Sequence, residues 1–301
     1  MNDNRGTTAA IDNHASQKPH HTGDLDAMLW GIERDPLLRQ TITVVLILDR
    51  APHREVLLDR LERGSRTLPS FRHRLVEAPL RLSTPRWIAD TNFDLSYHVR
   101  WIGAPGDGSL DGVLEFARQS TMSGLDRERP LWTITVVEGL KGGQAALILT
   151  VNRVMSDGTG PLAIFGVLGD LTSYTGHRIL RFLGRSAGST ARTLPTVVRR
   201  PRDTATTVAK DVWAVTRIVA PNFKTLSPLM TERLAGAKVL SIFPFGPPIG
   251  TAANITLVGY HHKALIGINV DAAAVPDLGT LVACIREGLD AVIALGDGDQ
   301  P

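Results

Sequence analysis

Apolar residues in this chain recur at the spacings of several short strands and a few amphipathic helices. Thr41–Leu48 is a β-branched run with Ile42, Val44, Leu46 and Leu48 on one face and Val45 and Ile47 on the other, the pattern of a strand buried on both sides. A helix is predicted over residues 52–63, with Val56, Leu57 and Leu61 inward and Gly64 as its stop. Residues 132–137 and 145–151 read as neighbouring strands joined by a turn that contains Gly142-Gly143. A turn over 156–160 then leads to a helix that starts at Pro161, with Leu162, Phe165 and Leu168 inward. Strand signals return over 239–245, 254–260 and 265–270, with a hairpin turn near 261–264. The last helix starts at Pro276 and carries Leu278, Leu281, Ile285, Leu289 and Val292 along one side. Strands mixed with helices and antiparallel hairpins predict a layered α/β (α+β) fold.

Composition changes sharply over 176–225. Eight Arg and two Lys stand there against Asp203 and Asp211, with Pro195, Pro201 and Pro221 as breaks, which suggests a linker. The chain is thus divided into a flexible tail (1–22), an N-terminal domain (23–175), a basic linker with helices (176–233) and a C-terminal remnant (234–297). Within the linker, Ile179, Leu180, Phe182 and Leu183 alternate with Arg178, Arg181 and Arg185. That pattern suits either a solvated crossing between domains or a basic helix lying on an anionic membrane surface.

At 301 residues and 43% hydrophobic content the chain can bury a sizeable core. A net charge of +3 argues against a polycation built for nucleic acid. The single cysteine, Cys284, has no partner for an intramolecular disulfide and reads as a buried small hydrophobe, which suits the reducing cytoplasm. Residues 1–18 lack the apolar block of a secretory signal, and no apolar run approaches the roughly 20 residues of a membrane span, so membrane contact is expected to be peripheral.

No Cys/His/Asp/Glu set has metal-ligand spacing. Ser156 lacks the context of a nucleophile elbow, and the glycines over 103–112 lack the pattern of a phosphate loop. Among the histidines, His20, His21, His53, His73, His261 and His262 carry no catalytic expectation, and His98 is expected to make a structural hydrogen bond.

Three stretches read together carry a family resemblance: Leu29-Trp30-Gly31-Ile32-Glu33-Arg34-Asp35-Pro36, then Asn92-Phe93-Asp94-Leu95 with Tyr97-His98-Val99-Arg100, then Arg129-Pro130-Leu131-Trp132. With Glu138-Gly139-Leu140 and the strand that follows, they resemble the bacterial wax ester synthase/diacylglycerol acyltransferase family from about residue 24 to 170. The resemblance resumes in Leu234-Ala235-Gly236-Ala237, Phe245-Gly246-Pro247, Asn254-Ile255-Thr256-Leu257 and Ala274-Val275-Pro276-Asp277. Family members are longer, which implies an internal deletion near Arg233 and Leu234 and a truncated second domain. The implied fold is that of chloramphenicol acetyltransferase and other acyl-CoA-dependent transferases.

The resemblance implies acyl transfer from acyl-CoA to diacylglycerol or a long-chain alcohol, with acyl-CoA as cosubstrate, no bound cofactor, and lipid acceptors met at a membrane or lipid-droplet surface. The family signature His-His-x-x-x-Asp-Gly falls here on Asn152, Arg153, Val154, Met155, Ser156, Asp157 and Gly158. The Asp-Gly end persists and both histidines are replaced. Asp157 is expected to hold the loop and Gly158 to permit its turn. Arg153 stands where the family's base would be, and guanidinium has no acceptor lone pair. Two expectations stay open: an impaired O-acyltransferase, and a catalytically silent relative that binds acyl-CoA, lipid or a partner protein.

Overall fold

The structure, a computed structural model, describes residues 20–155, 213–220, 233–247, 249–260 and 263–297. The run Thr41–Leu48 forms β2, and all but one of its eight residues are buried. It pairs antiparallel with β7 (Ala145–Asn152) from Thr41↔Asn152 to Leu48↔Ala145, and every β7 residue is buried as well. Such double burial explains why both strands are apolar on both faces. On the far side of β7 lies β6 (Trp132–Glu138), antiparallel to it as expected, with Gly142 and Gly143 at φ 73° and 72° in the connection. β5 (Val99–Gly103) runs parallel to β6 at the edge.

The other flank of β2 is filled from far along the chain. β10 (Ala237–Phe245) pairs antiparallel with β2, and the short β9 (Arg233–Leu234) folds back on β10 through Ala235 and Gly236. The six-stranded order is therefore β5-β6-β7-β2-β10-β9. β10, which the sequence division places in the C-terminal remnant, and β9, which straddles the boundary between linker and remnant, complete the N-terminal sheet. Val239, Ile242, Phe243 and Phe245 of β10 are each at most 3% exposed and join the main core.

A second sheet has the order β11-β12-β8, from β11 (Ala253–Tyr260), β12 (Lys263–Asp271) and β8 (Trp213–Ala220). The predicted hairpin between β11 and β12 is present, closing at Tyr260↔Lys263. β8 lies inside the segment that composition had marked as linker, and it pairs with β12 over eight positions. The correction has a simple cause. Arg217 is the one charge in Trp-Ala-Val-Thr-Arg-Ile-Val-Ala, so a regional excess of arginine hid a local strand. α5 (Leu278–Asp297) sets Leu278, Leu281, Ile285 and Leu289 against Ile266, Ile268 and Val270 of β12. Val292, expected on that side, is 66% exposed, and Cys284 is exposed rather than buried because its position falls off the inward stripe.

α1 (Asp24–Ile32) and α4 (Leu110–Ser123) border the end of β7 described below, and α2 (Arg54–Thr67) buries Leu57 and Leu61. α2 corrects the sequence reading at both ends and at Val56, which is 40% exposed. Gly64 lies buried inside the helix, and its carbonyl accepts from Leu68 N–H at 3.0 Å. Pro69 supplies the stop, because the residue before a proline leaves the helical region. His20–His21, placed by sequence in a flexible tail, form β1, paired with β4 (Arg86–Ala89), which also pairs with β3 (His73–Val76). The predicted helix from Pro161, the basic stretch 178–185, Ser156, Asp157, Gly158, His261 and His262 lie outside the described residues.

Candidate functional site at the end of strand β7

The chain order Pro130-Leu131-Trp132 fixes the end of β7 from one side. Trp132 is fully buried, and its indole Nε1 donates to the Phe71 carbonyl at 3.0 Å. Its ring stacks on His98, with centroids 4.5 Å apart, and His98 in turn stacks on Phe93 at 5.1 Å. His98 Nδ1 bonds the Trp132 carbonyl at 2.7 Å, the structural hydrogen bond expected of it. Asp94 caps α3 (Leu95–His98) by accepting from Ser96 N–H at 2.9 Å, which orients His98 toward the stack. The second and third stretches of the resemblance therefore meet in one aromatic platform. Pro130 is buried, and the Leu131 carbonyl accepts from Asn152 N–H at 2.9 Å, so the platform ends where β7 ends.

Asn152 is 2% exposed. Its Nδ2 donates to Glu33 Oε1 at 2.5 Å, and its Oδ1 accepts from Val154 N–H at 2.9 Å. Both ends of the amide are thereby engaged. The next residue, Arg153, opens a short 3-10 turn (Arg153–Met155), donates its backbone N–H to the Gln40 carbonyl at 2.8 Å, and is exposed. The structure thus separates two positions that are adjacent in sequence: position 152 is inside and position 153 outside.

A cavity of about 310 Å³ lies beside Asn152, lined also by Trp30, Glu33, Arg34, Arg39, Leu125, Arg127 and Leu131. Arg39 donates to the Met122 carbonyl at the end of α4. The Arg127 guanidinium lies 3.5 Å from the Trp30 ring centroid and reaches Glu77 at 3.3 Å, while Arg34 pairs with the other Glu77 oxygen at 2.6 Å. Burial lowers the Arg127 pKa, Glu33 and Glu77 pull it back up, and Arg34 adds to the lowering. The group stays cationic at any accessible pH.

Glu33 is the carboxylate of this cavity, and its role was not read from sequence. Its Oε1 takes Asn152 and the Gln40 N–H, whereas Oε2 is buried with no partner among the described residues. One signal was available. Glu33 caps the C-terminus of α1, where the helix dipole disfavours a negative side chain, so its presence there needs a reason beyond the helix. A carboxylate oxygen with free lone pairs is a hydrogen-bond acceptor, and here it is held out of contact with solvent. Among the described residues no group of three or more His, Cys, Asp or Glu side chains is placed to hold a metal ion.

Two of the sequence-derived site residues, Asn152 and Leu131, line the cavity; Pro130 and Trp132 support it, and Arg153 faces away from the buried side of β7.

Comparison with known proteins points the same way. The chain is 36% identical over 149 residues to a Mycobacterium tuberculosis H37Rv protein described provisionally as a diacylglycerol O-acyltransferase. That match covers 50% of this chain and 30% of the relative's own length. A second protein of that description from the same strain is 36% identical over 118 residues, covering 39% of this chain and 44% of that one. Among solved structures, the wax ester synthase/diacylglycerol acyltransferase from Marinobacter aquaeolei VT8 superposes with a TM-score of 0.62 at 16% identity, over 93% of this chain and 100% of that one. The first condensation domain of the calcium-dependent antibiotic synthetase follows at 0.52 and 11%, over 86% and 92%. At such identities these establish the shared fold, the chloramphenicol acetyltransferase-like arrangement expected from the sequence. The family model for the wax ester synthase/diacylglycerol acyltransferase catalytic domain matches residues 23–243, a span that holds the aromatic platform, the end of β7 and most of β10. The chain therefore belongs to the wax ester synthase/diacylglycerol acyltransferase family.

Proposed function

We propose that this chain is an O-acyltransferase of neutral lipid synthesis whose turnover is impaired at the proton-transfer step. In the reaction, the hydroxyl oxygen of diacylglycerol or a long-chain alcohol attacks the thioester carbon of acyl-CoA. A C–O bond forms, the C–S bond breaks, the hydroxyl proton passes to a base, and CoA leaves as the thiol. The products are triacylglycerol or wax ester. Acyl-CoA enters as cosubstrate, so no resident cofactor is needed. Among the described residues no helix is long and apolar enough to cross a membrane. The reading places the chain in the cytoplasm, meeting its acceptors at a membrane or lipid-droplet surface.

One observation carries the impairment: neither residue 152 nor residue 153 offers a proton acceptor to the cavity. The Asn152 amide is spent on Glu33 and Val154, and Arg153 is a permanent cation on the exposed side. Loss of a general base costs on the order of 10² to 10⁴ in rate. Residual transfer would run through positioning in the cavity.

The spent amide also favours a second reading, a silent relative that holds acyl-CoA, lipid or a partner protein without turnover. Transfer from labelled acyl-CoA by the unmodified protein and by an Asn152→His, Arg153→His double variant separates the two. Slow transfer by the unmodified protein that rises about 10²-fold or more in the variant supports the impaired enzyme. Activity absent from both supports the silent relative, and turnover by the unmodified protein that the variant does not increase removes the argument for impairment.

A further inference from the structure

The described sheets end in β1, β3, β5, β8, β9 and β11. β1 carries His20 and His21, β3 Arg74, β5 Arg100, β8 Arg217 and β9 Arg233, and a chargeable side chain on an edge strand discourages a further strand from pairing with it. β11 lacks that protection. It reads Ala-Asn-Ile-Thr-Leu-Val-Gly-Tyr, with no charge and no proline, and it pairs with β12 along eight positions without a register shift. Its outer side faces no strand among the described residues, which leaves a straight row of backbone N–H and C=O groups open to a partner.

The side chains of β11 extend this edge into an apolar shelf. Val258 packs toward the main core and the Thr256 hydroxyl accepts from Gly246 N–H at 3.3 Å, so alternate residues turn toward β10. Ile255 and Leu257 point the other way and are 51% and 47% exposed. Their cross-strand neighbours in β12 are Ile268 and Ile266, which α5 covers. Ile255 and Leu257 belong to neither core cluster, so the apolar face of the second sheet continues past the helix and stops at the edge.

We propose that β11 is the interface of a homodimer, in which β11 of a second copy pairs antiparallel with it to give one sheet in the order β8-β12-β11-β11-β12-β8. A two-fold axis at Thr256 sets Ile255 opposite Leu257 of the second copy, on the face that carries both α5 helices. Identical strands paired about an axis bring like residues together, so any charge in the strand would meet its own kind, and β11 has none. Selecting a foreign strand needs charges or pockets along the edge, whereas two copies of β11 fit each other by symmetry alone. A strip of eight paired residues is about 27 Å long and one strand deep. That stays below the roughly 800 Å² per partner of a standard interface, so the dimer is weak, with a dissociation constant on the order of 10 μM.

The test is sedimentation velocity of the full chain from about 1 to 100 μM, with hydrogen exchange of β11 peptides at both ends of that range. The protein should pass from monomer to dimer, and β11 amides should exchange more slowly at the higher concentration. Leu257→Lys and Ile255→Lys should each weaken the dimer more than about tenfold at an unchanged urea midpoint, because both side chains are half exposed in the monomer and enclosed in the dimer. Leu80→Lys, at a leucine 89% exposed on the loop before β4, should leave association intact. Exchange in the unmodified protein needs no variant, so it decides alone where a variant misfolds. A monomer across the whole range overturns the proposal: fast β11 exchange then means a free edge, and slow exchange means a segment of the same chain lying on it. A dimer that keeps its strength in both β11 variants, or loses it equally in Leu80→Lys, lies elsewhere on the surface and overturns the proposal too.

Discussion

Asn152 and His98 show how single side chains hold this site together, and each can be tested alone. Asn152→Ala removes the bonds to Glu33 and Val154 N–H and leaves Glu33 Oε1 with only the Gln40 amide. Stranding buried polar groups costs about 1–3 kcal/mol, so its urea midpoint should fall accordingly, and no change would mean that the pair does not form. His98 is fully buried, and burial holds its imidazole below the ordinary histidine value near 6.5, with Arg129 pushing the same way and the Trp132 carbonyl, Asp90 and Asp94 opposing. The unfolded chain therefore takes up a proton that the folded chain refuses. This contribution to stability is complete above pH 6.5 and is lost as pH falls from there toward the depressed folded value. Urea midpoints should drop between pH 7.5 and 5.5, and the drop should be smaller in His98→Phe. An equal pH slope in both proteins would sink the assignment. Position 152 was legible in sequence through its place in the motif. Its partner was not, because Glu33 lies 119 residues earlier and meets it only through the register of β7 on β2 and the end of α1.

Elements were legible where burial is two-sided or strictly periodic. β2 matched its predicted bounds because both of its faces are apolar, and β6, β7 and the β11–β12 hairpin followed from short apolar runs bounded by turns. β8 was hidden by the charge of its surroundings, and the partner of β10 was hidden because strand pairing over nearly two hundred residues leaves no local trace. The crossing of the two sheets left one trace, which can be read only afterwards. Gly267 sits mid-strand in β12, where glycine weakens a sheet, and a Cβ there would lie 1.9 Å from the Pro244 carbonyl oxygen of β10. Backbone cannot yield as a side chain does. Gly267→Ala should thus push β12 off β10 and destabilise the protein by about 1–3 kcal/mol or more, seen as a lower urea midpoint. A midpoint within error of the unmodified protein would show that the strands do not approach so closely.

Over the whole molecule, β10 is the element on which both sheets depend. It pairs with β2 along six positions, and its Pro244 carbonyl lies under Gly267 of β12, so N-terminal sheet and second sheet meet along one strand. Such an arrangement predicts cooperative unfolding, since neither sheet keeps its packing when β10 leaves. Phe243, 1% exposed within β10, is the side chain through which to test this. Truncating a buried phenylalanine costs about 3–5 kcal/mol, a large part of the stability of an ordinary domain. If the sheets form one unit, Phe243→Ala should speed amide hydrogen exchange in peptides from β7 and from β12 by a similar factor. Faster exchange in β7 with β12 unchanged would mean that the second sheet stands by itself. The matter bears on function because the cavity beside Asn152 is built from α1, α4 and the end of β7, all carried by the sheet that β10 completes. Loss of that strand should therefore open the site as well as the fold, and ligand protection of β7 amides should disappear in the same variant.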